Sequence, residues 1–153
     1  MTPGERIRAA TAADLAAIRR IEAEAFEPSR RSSNRSLRRA LVSAFQQILV
    51  LDSAGSLAGY LILWPYRHTW RIYNLATDPE QRNQGIAGRL LGAAVDQARA
   101  AGARRVVLEC RVDPALVRYY ERRGFALAER LPDYYAEGED ALRMVLEFEA
   151  ASR

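Results

Sequence analysis

The spacing of apolar positions changes several times along the chain, and each change predicts an element. Arg6 to Ala10 alternates as a short strand does, and Leu15, Ile18 and Ile21 then share one face of a helix reaching to about Phe26. Thr11 and Asp14, three residues apart, form a capping-box-like start for it. Leu37, Leu41 and Phe45 recur every four residues, which predicts a second helix from Asn34 to Phe45 with Arg35, Arg38 and Arg39 on its solvated surface.

Continuous apolar runs come next. Gln47 to Asp52 and Leu57 to Tyr66 are rich in Leu and Ile, and the break at Ser53, Ala54, Gly55 and Ser56 between them spells a β-hairpin. Arg71 to Thr77 is a third strand, stopped by Asp78 and Pro79 because proline has no N–H to give a ladder. These three predict an antiparallel meander. Helical spacing returns from Gly85 to Ala101, with Leu90, Leu91, Ala94, Val95 and Ala98 forming a broad stripe and Gly102 in a C-terminal cap position.

Arg105 to Val112 is apolar almost throughout, as expected of a central strand covered on both faces and paired in parallel across the preceding helix. Asp113 and Pro114 open a short helix that ends before Gly124. Phe125 to Arg130 and Ala141 to Glu149 are the last strands, joined by a polar loop carrying Tyr134 and Tyr135. The order predicts an α+β fold, a mixed and mostly antiparallel sheet of about seven strands flanked by about four helices. No linker or low-complexity tract interrupts it, so residues 1–153 read as a single domain.

Composition adds exclusions. Hydrophobic residues at 49% and charged residues at 27% suit a soluble globular chain, and Leu57 to Tyr66 is half the length a bilayer span needs. A cytoplasmic protein without a membrane partner is expected. Cys110 is the only cysteine, which rules out an internal disulfide, and no Cys and His cluster suggests a metal. The net charge is +4 and all 23 cationic side chains are Arg, spread along the whole chain rather than gathered in a stripe. A nucleic-acid role is therefore not expected, and both monomer and homodimer remain open.

Candidate chemistry begins where a strand passes through Arg82, Asn83, Gln84 and Gly85 into a helix starting Ile86, Ala87, Gly88. The first turn of a helix carries unpaired N–H groups and partial positive charge, so this is a general anion site; an ordinary turn into a surface helix fits the spacing equally. A P-loop is excluded because the chain has no Lys, and Gly85, Gly88 and Gly92 miss the dinucleotide spacing. Gly88 and Gly92 read as small residues that let the helix approach the sheet. Glu109 interrupts an apolar strand, either as a desolvated base or as the partner of an Arg such as Arg111. Cys110 points to the opposite face and reads as core, and His68, the sole histidine, as a solvated turn residue.

Four motifs in order carry a resemblance. Arg82, Gly85 and Ala87 match Q/R-x-x-G-x-G/A; Val106 to Arg111 resembles an "LEVR" strand; Tyr120, Glu121, Gly124 and Phe125 resemble "YExxGF". Tyr134, Tyr135, Gly138, Glu139, Asp140, Ala141, Leu142 and Met144 resemble the "YY…G.DA..M" ending of the ribosomal-protein alanine N-acetyltransferase branch. Over residues 71–144 the chain is thus similar to the GNAT superfamily of N-acetyltransferases. The resemblance implies acetyl-CoA as cosubstrate without a metal, held along Leu75, Ala76 and Thr77 and by the segment Arg82 to Gly88. It implies Glu109 as general base, Tyr120 as general acid, and an oxyanion met by backbone N–H groups near Leu75 to Thr77 on a splayed strand. Phe26, Tyr134 and Tyr135 would wall the acceptor.

Asp113 stands near where the family has a cofactor-contacting Asn, so it reads as that contact or as a helix cap. Phe26 and Pro28 are what remains here of the branch's aromatic cluster after the first helix. The implied acceptor is a peptide or protein N-terminus, whose α-amine, with a pKa about 8, is roughly a tenth neutral at pH 7, against well under one in a thousand for a Lys amine. A small amine of polyamine or aminoglycoside type is the alternative acceptor, and a coenzyme A binding module without activity the alternative function.

Overall fold

The computed structural model describes residues 4–26, 33–81, 85–135 and 138–149. Strand β1 (Glu5–Ala9) leads through a 3-10 turn into helix α1 (Leu15–Ala25), and α2 (Asn34–Val42) precedes strands β2 (Gln47–Ser53), β3 (Ser56–Trp64) and β4 (Thr69–Thr77). Helix α3 (Ile86–Ala100), strand β5 (Arg105–Arg111), helix α4 (Pro114–Glu121) and strands β6 (Ala126–Leu131) and β7 (Ala141–Glu147) complete the chain. The seven strands form one sheet in the order β1-β2-β3-β4-β5-β7-β6, antiparallel everywhere except between β4 and β5. The α+β architecture and the meander expected from the sequence are both present. Among the described residues no helix is long and apolar enough to cross a membrane.

Local chemistry sets the boundaries. The Thr11 N–H donates to Asp14 Oδ2 at 2.7 Å, the reciprocal half of a capping box, and Arg8 from β1 grips both oxygens of the same carboxylate at 2.8 and 2.9 Å. One aspartate thereby ties the helix start to the sheet edge. Helix α2 stops earlier than its four-residue repeat implied. Ser43 turns extended, its hydroxyl accepts the Phe45 N–H at 3.0 Å, and Phe45 lies outside the helix, 79% exposed. A serine hydroxyl that offers the backbone a local partner competes with the helical ladder, and here it wins.

The two faces of the sheet bury separate clusters. Ile18, Ile21 and Leu37 pack with Ile48, Val50, Tyr60 and Ile62 under α1 and α2, whereas Leu90, Leu91, Ala94 and Ala98 of α3 pack with Leu61, Leu63, Val106 and Leu108 on the other side. The close approach of α3 to the sheet occurs at Gly59 in β3, not at the helical glycines. A methyl group at Gly59 would meet the Ala76 carbonyl oxygen and Ile86 Cγ2, each at 2.9 Å, while one at Gly92 meets nothing within 4 Å. Gly88 faces the Arg123 guanidinium instead. The small residue needed for packing is on the strand.

Candidate active site

Two irregularities at the centre of the sheet create an opening. The parallel ladder between β4 and β5 runs from the pair Thr69 with Arg105 to the pair Ile72 with Leu108 and ends there. Beyond it β4 continues against β3 alone and β5 against β7 alone, so the two strands separate. At the same level the β3–β4 ladder jumps from Leu63 opposite Ile72 to Ile62 opposite Asn74, leaving Tyr73 as the extra residue of a bulge. Tyr73 stacks on Trp64 with centroids 4.2 Å apart.

The backbone of β4 faces this opening with alternate N–H groups. Asp78 N–H reaches Ala58 O on β3 at 2.8 Å, and strand alternation then sends Ala76 N–H toward β3 and the Leu75 and Thr77 N–H groups toward the gap. Of the three residues expected to supply donors, two are thus oriented to do so. The Leu75 N–H is met by Asn74 Oδ1 at 3.1 Å. Asn74 is itself fixed from below, its amide donating to Glu22 Oε2 at 3.0 Å and to the Tyr60 hydroxyl at 3.3 Å. Burial, reinforced by the Glu22 charge, holds the Tyr60 hydroxyl protonated far above the usual tyrosine range.

Glu109 is the first residue of β5 past the last parallel pair. Its side chain is 7% exposed and its oxygens are surrounded by donors: Arg71 Nη1 and the Tyr134 hydroxyl (3.3 Å) on Oε1, and Arg143 Nε (3.1 Å) on Oε2. From the sequence, a desolvated base and an Arg-paired carboxylate were both open. The structure provides the pairing, with Arg71 of β4 and Arg143 of β7 rather than with Arg111, which is exposed. Arg143 sits directly opposite Glu109 in the ladder, and Arg71 is opposite Val107, two positions before Glu109 on the same face. Arg143 also donates to Glu129 Oε1 at 2.6 Å.

On the other face of β5, Cys110 is buried in the α3 cluster, and burial pushes its thiol above the ordinary range, which suits a core residue rather than a nucleophile. Tyr120 packs against that cluster, edge-on to Tyr119 (5.3 Å) and to Phe125 (5.9 Å). Burial raises its hydroxyl well above the tyrosine norm, with a smaller push from Cys110 nearby. Glu109 and Tyr120 therefore lie on opposite sides of the strand that borders the opening.

Arg82, Asn83 and Gln84 lie outside the described residues, as does Pro28. Directly after the first three, Gly85 has φ 73° and ψ 17°, a left-handed conformation that a side chain would strain, and α3 begins at Ile86 with Ala87 and Gly88 in its first turn. Arg123, just past the end of α4, lies over the Tyr119 ring at 4.0 Å with its guanidinium against Gly88. Asp113 caps α4, its Oδ1 accepting the Ala115 N–H at 2.9 Å.

Tyr134 and Tyr135 pack edge to face at 5.1 Å in the β6–β7 connection, and the Tyr134 hydroxyl ties that loop to Glu109. Phe26 is half-buried against the α1–α2 cluster, and His68 is exposed in a turn. Among the described residues no group of three or more His, Cys, Asp or Glu could hold a metal ion. Arg71 and Arg143 were not singled out from the sequence. Both interrupt apolar strands at the alternation that faces Glu109, a signal visible only once the register is known.

Residues 15–125 match the model of the acetyltransferase (GNAT) family. The chain is 45% identical over 76 residues to an N-alpha-acetyltransferase 30 of Schizosaccharomyces pombe, a match covering 49% of this chain and 51% of that protein. It thus spans about half the length of this relative. It is 36% identical over 107 residues to a Bacillus subtilis protein assigned as a ribosomal protein bS18 alanine N-acetyltransferase, covering 68% of this chain and 70% of the other. The crystal structure of the ribosomal-protein-S18-alanine N-acetyltransferase from Escherichia coli superposes with a TM-score of 0.87 at 26% identity, over 97% of both chains. The chain therefore belongs to the acetyltransferase (GNAT) family.

Proposed function

We propose that this chain transfers an acetyl group from acetyl-CoA to the N-terminal α-amine of a peptide or protein. The observation that carries the reading is the opening between β4 and β5, with two inward N–H groups on one wall and Glu109 and Tyr120 on the two faces of the other. A linear amide-bearing arm suits such a gap, because it can take the hydrogen bonds a neighbouring strand would otherwise make. The first turn of α3, opened by Gly85, suits a pyrophosphate, and Arg123 beside Gly88 adds a cation there.

Acetyl-CoA, when bound, supplies the activated thioester. The chain's own groups then divide the work. The Thr77 N–H, directed into the gap, stabilises negative charge developing on the carbonyl oxygen, whereas the Leu75 N–H is already taken by Asn74 Oδ1. As the amine nitrogen bonds to the carbonyl carbon and the carbon–sulfur bond breaks, one amine proton passes to Glu109 and the departing sulfur takes a proton from Tyr120. The two protons balance, giving an amide and a free thiol.

The peptide acceptor is supported by the tyrosine pair beside Glu109 and by the names of the fission-yeast and Bacillus relatives. A polycationic acceptor is opposed by Arg71 and Arg143, which flank the base with like charge. A peptide N-terminus library incubated with acetyl-CoA and read by mass spectrometry tests the reading. Acetylated α-amines are expected; turnover of a polyamine with no peptide modified would overturn it.

A further inference from the structure

The Glu109 carboxylate is engaged on both oxygens before any acceptor arrives. Arg71 and Tyr134 take Oε1 and Arg143 takes Oε2. Oε1 takes two donors and Oε2 one, so an open acceptor site on Oε2 can receive a proton, but protonation removes the negative charge against which both guanidiniums are paired. Something has to take Glu109's place on the arginines.

The arginines have the capacity for it. Among the described residues no hydrogen bond is made by Arg71 Nε or Nη2, or by Arg143 Nη2. Both side chains are about a third exposed, at 30% and 31%, against 7% for Glu109, so a group arriving from solvent reaches the guanidiniums before the carboxylate. The fork of a guanidinium matches a carboxylate in geometry as well as charge. Glu129 already occupies one donor of Arg143, which leaves Arg71, bonded to Glu109 alone, as the more available of the two.

We propose that Arg71 and Arg143 make this chain selective for acceptors with a carboxylate side chain at the first or second residue. The incoming carboxylate docks on the donors of Arg71 and Arg143, releases Glu109 to take the amine proton, and keeps both guanidiniums paired throughout. This rests on the proposed α-amine acetylation and adds the chemical class of the acceptor to it. Lys or Arg at the same positions meets two like charges and is disfavoured.

The test compares peptides that differ only at one of the first two positions, Asp or Glu against Asn or Gln and against Lys, with the full chain and saturating acetyl-CoA. The kcat/KM for the acidic peptides is expected to exceed that for the amides by about tenfold, the equivalent of one charge-assisted pair. Arg71→Gln should bring the acidic peptides down to the level of the amides, and Arg143→Gln gives a second variant if the first does not fold. Equal rates for acidic and amide peptides in the wild type overturn the selectivity and leave α-amine acetylation standing. Failure of every peptide, with acetyl-CoA consumed on another amine, overturns both.

Discussion

Glu109 and Arg143 occupy directly opposed positions on β5 and β7, and the Arg143 Nε–H donates to Glu109 Oε2 across 3.1 Å. The carboxylate is therefore placed by the ladder itself. Its aim depends on backbone register rather than on a mobile loop. Glu109→Gln keeps the shape and removes the proposed base, and should lower kcat by about 10²- to 10⁴-fold with acetyl-CoA binding largely retained. Thioester consumption and cofactor titration measured side by side check this; a variant that turns over at the wild-type rate would remove Glu109 from the mechanism.

Tyr120→Phe should reduce kcat by about 10²-fold while leaving the melting temperature nearly unchanged, since the ring contacts to Tyr119 and Phe125 survive. Burial penalises the phenolate, so the hydroxyl keeps its proton above the usual tyrosine range. The wild-type rate should therefore show no alkaline decline between pH 8 and pH 10 that the Phe variant lacks. Such a decline would mean that another group donates to sulfur or that Tyr120 titrates normally.

Asp14 is held below the normal carboxyl range chiefly by the Arg8 guanidinium, with Thr11 N–H assisting. A depressed carboxyl stabilises the fold above its unfolded value, about pH 3.9, and that contribution disappears as pH falls through the lower folded value. Asp14→Asn should accordingly cost about 1–2 kcal/mol at pH 7. The difference between the two proteins in urea unfolding should shrink progressively as the pH is lowered below about 3.9. A constant difference across that range would show that packing rather than charge is what the substitution removes.

Gly59→Ala should destabilise the chain by about 2 kcal/mol, because the added methyl meets a backbone carbonyl oxygen that has no freedom to retreat. Gly92→Ala, with open space around it, should be neutral or slightly stabilising. Denaturant midpoints of the pair measure the contrast directly, and similar values for the two would contradict the placement of α3 on β3.

Most of the fold was legible because the relevant signals are local. Apolar runs, the Asp113 and Pro114 start of α4, and the Gly102 and Gly124 stops each act within a few residues, and the structure places elements within one to three positions of them. The exception, α2, shows how a stripe can be read too far: Phe45 kept the spacing after Ser43 had already taken the backbone out of the helix. For the candidate site the sequence marked residues worth testing and not their geometry. Glu109 stood out as a carboxylate in an apolar strand, yet its partners come from positions 38 residues before and 34 after it. No spacing rule connects them, since each depends on the register of a different ladder. The same holds for the Tyr73 bulge and the point at which β4 leaves β5.

That divergence is held by two flanking ladders, the bulged one of β3 against β4 and the regular one of β5 against β7, so the slot between the strands is present before any ligand enters. Affinity for a long, many-jointed ligand is usually eroded by the ordering of the protein around it, and along β4 and β5 that ordering is finished during folding. The central gap can then be rigid and shared by chains with unrelated acceptors, while selectivity varies in the side chains along its rim.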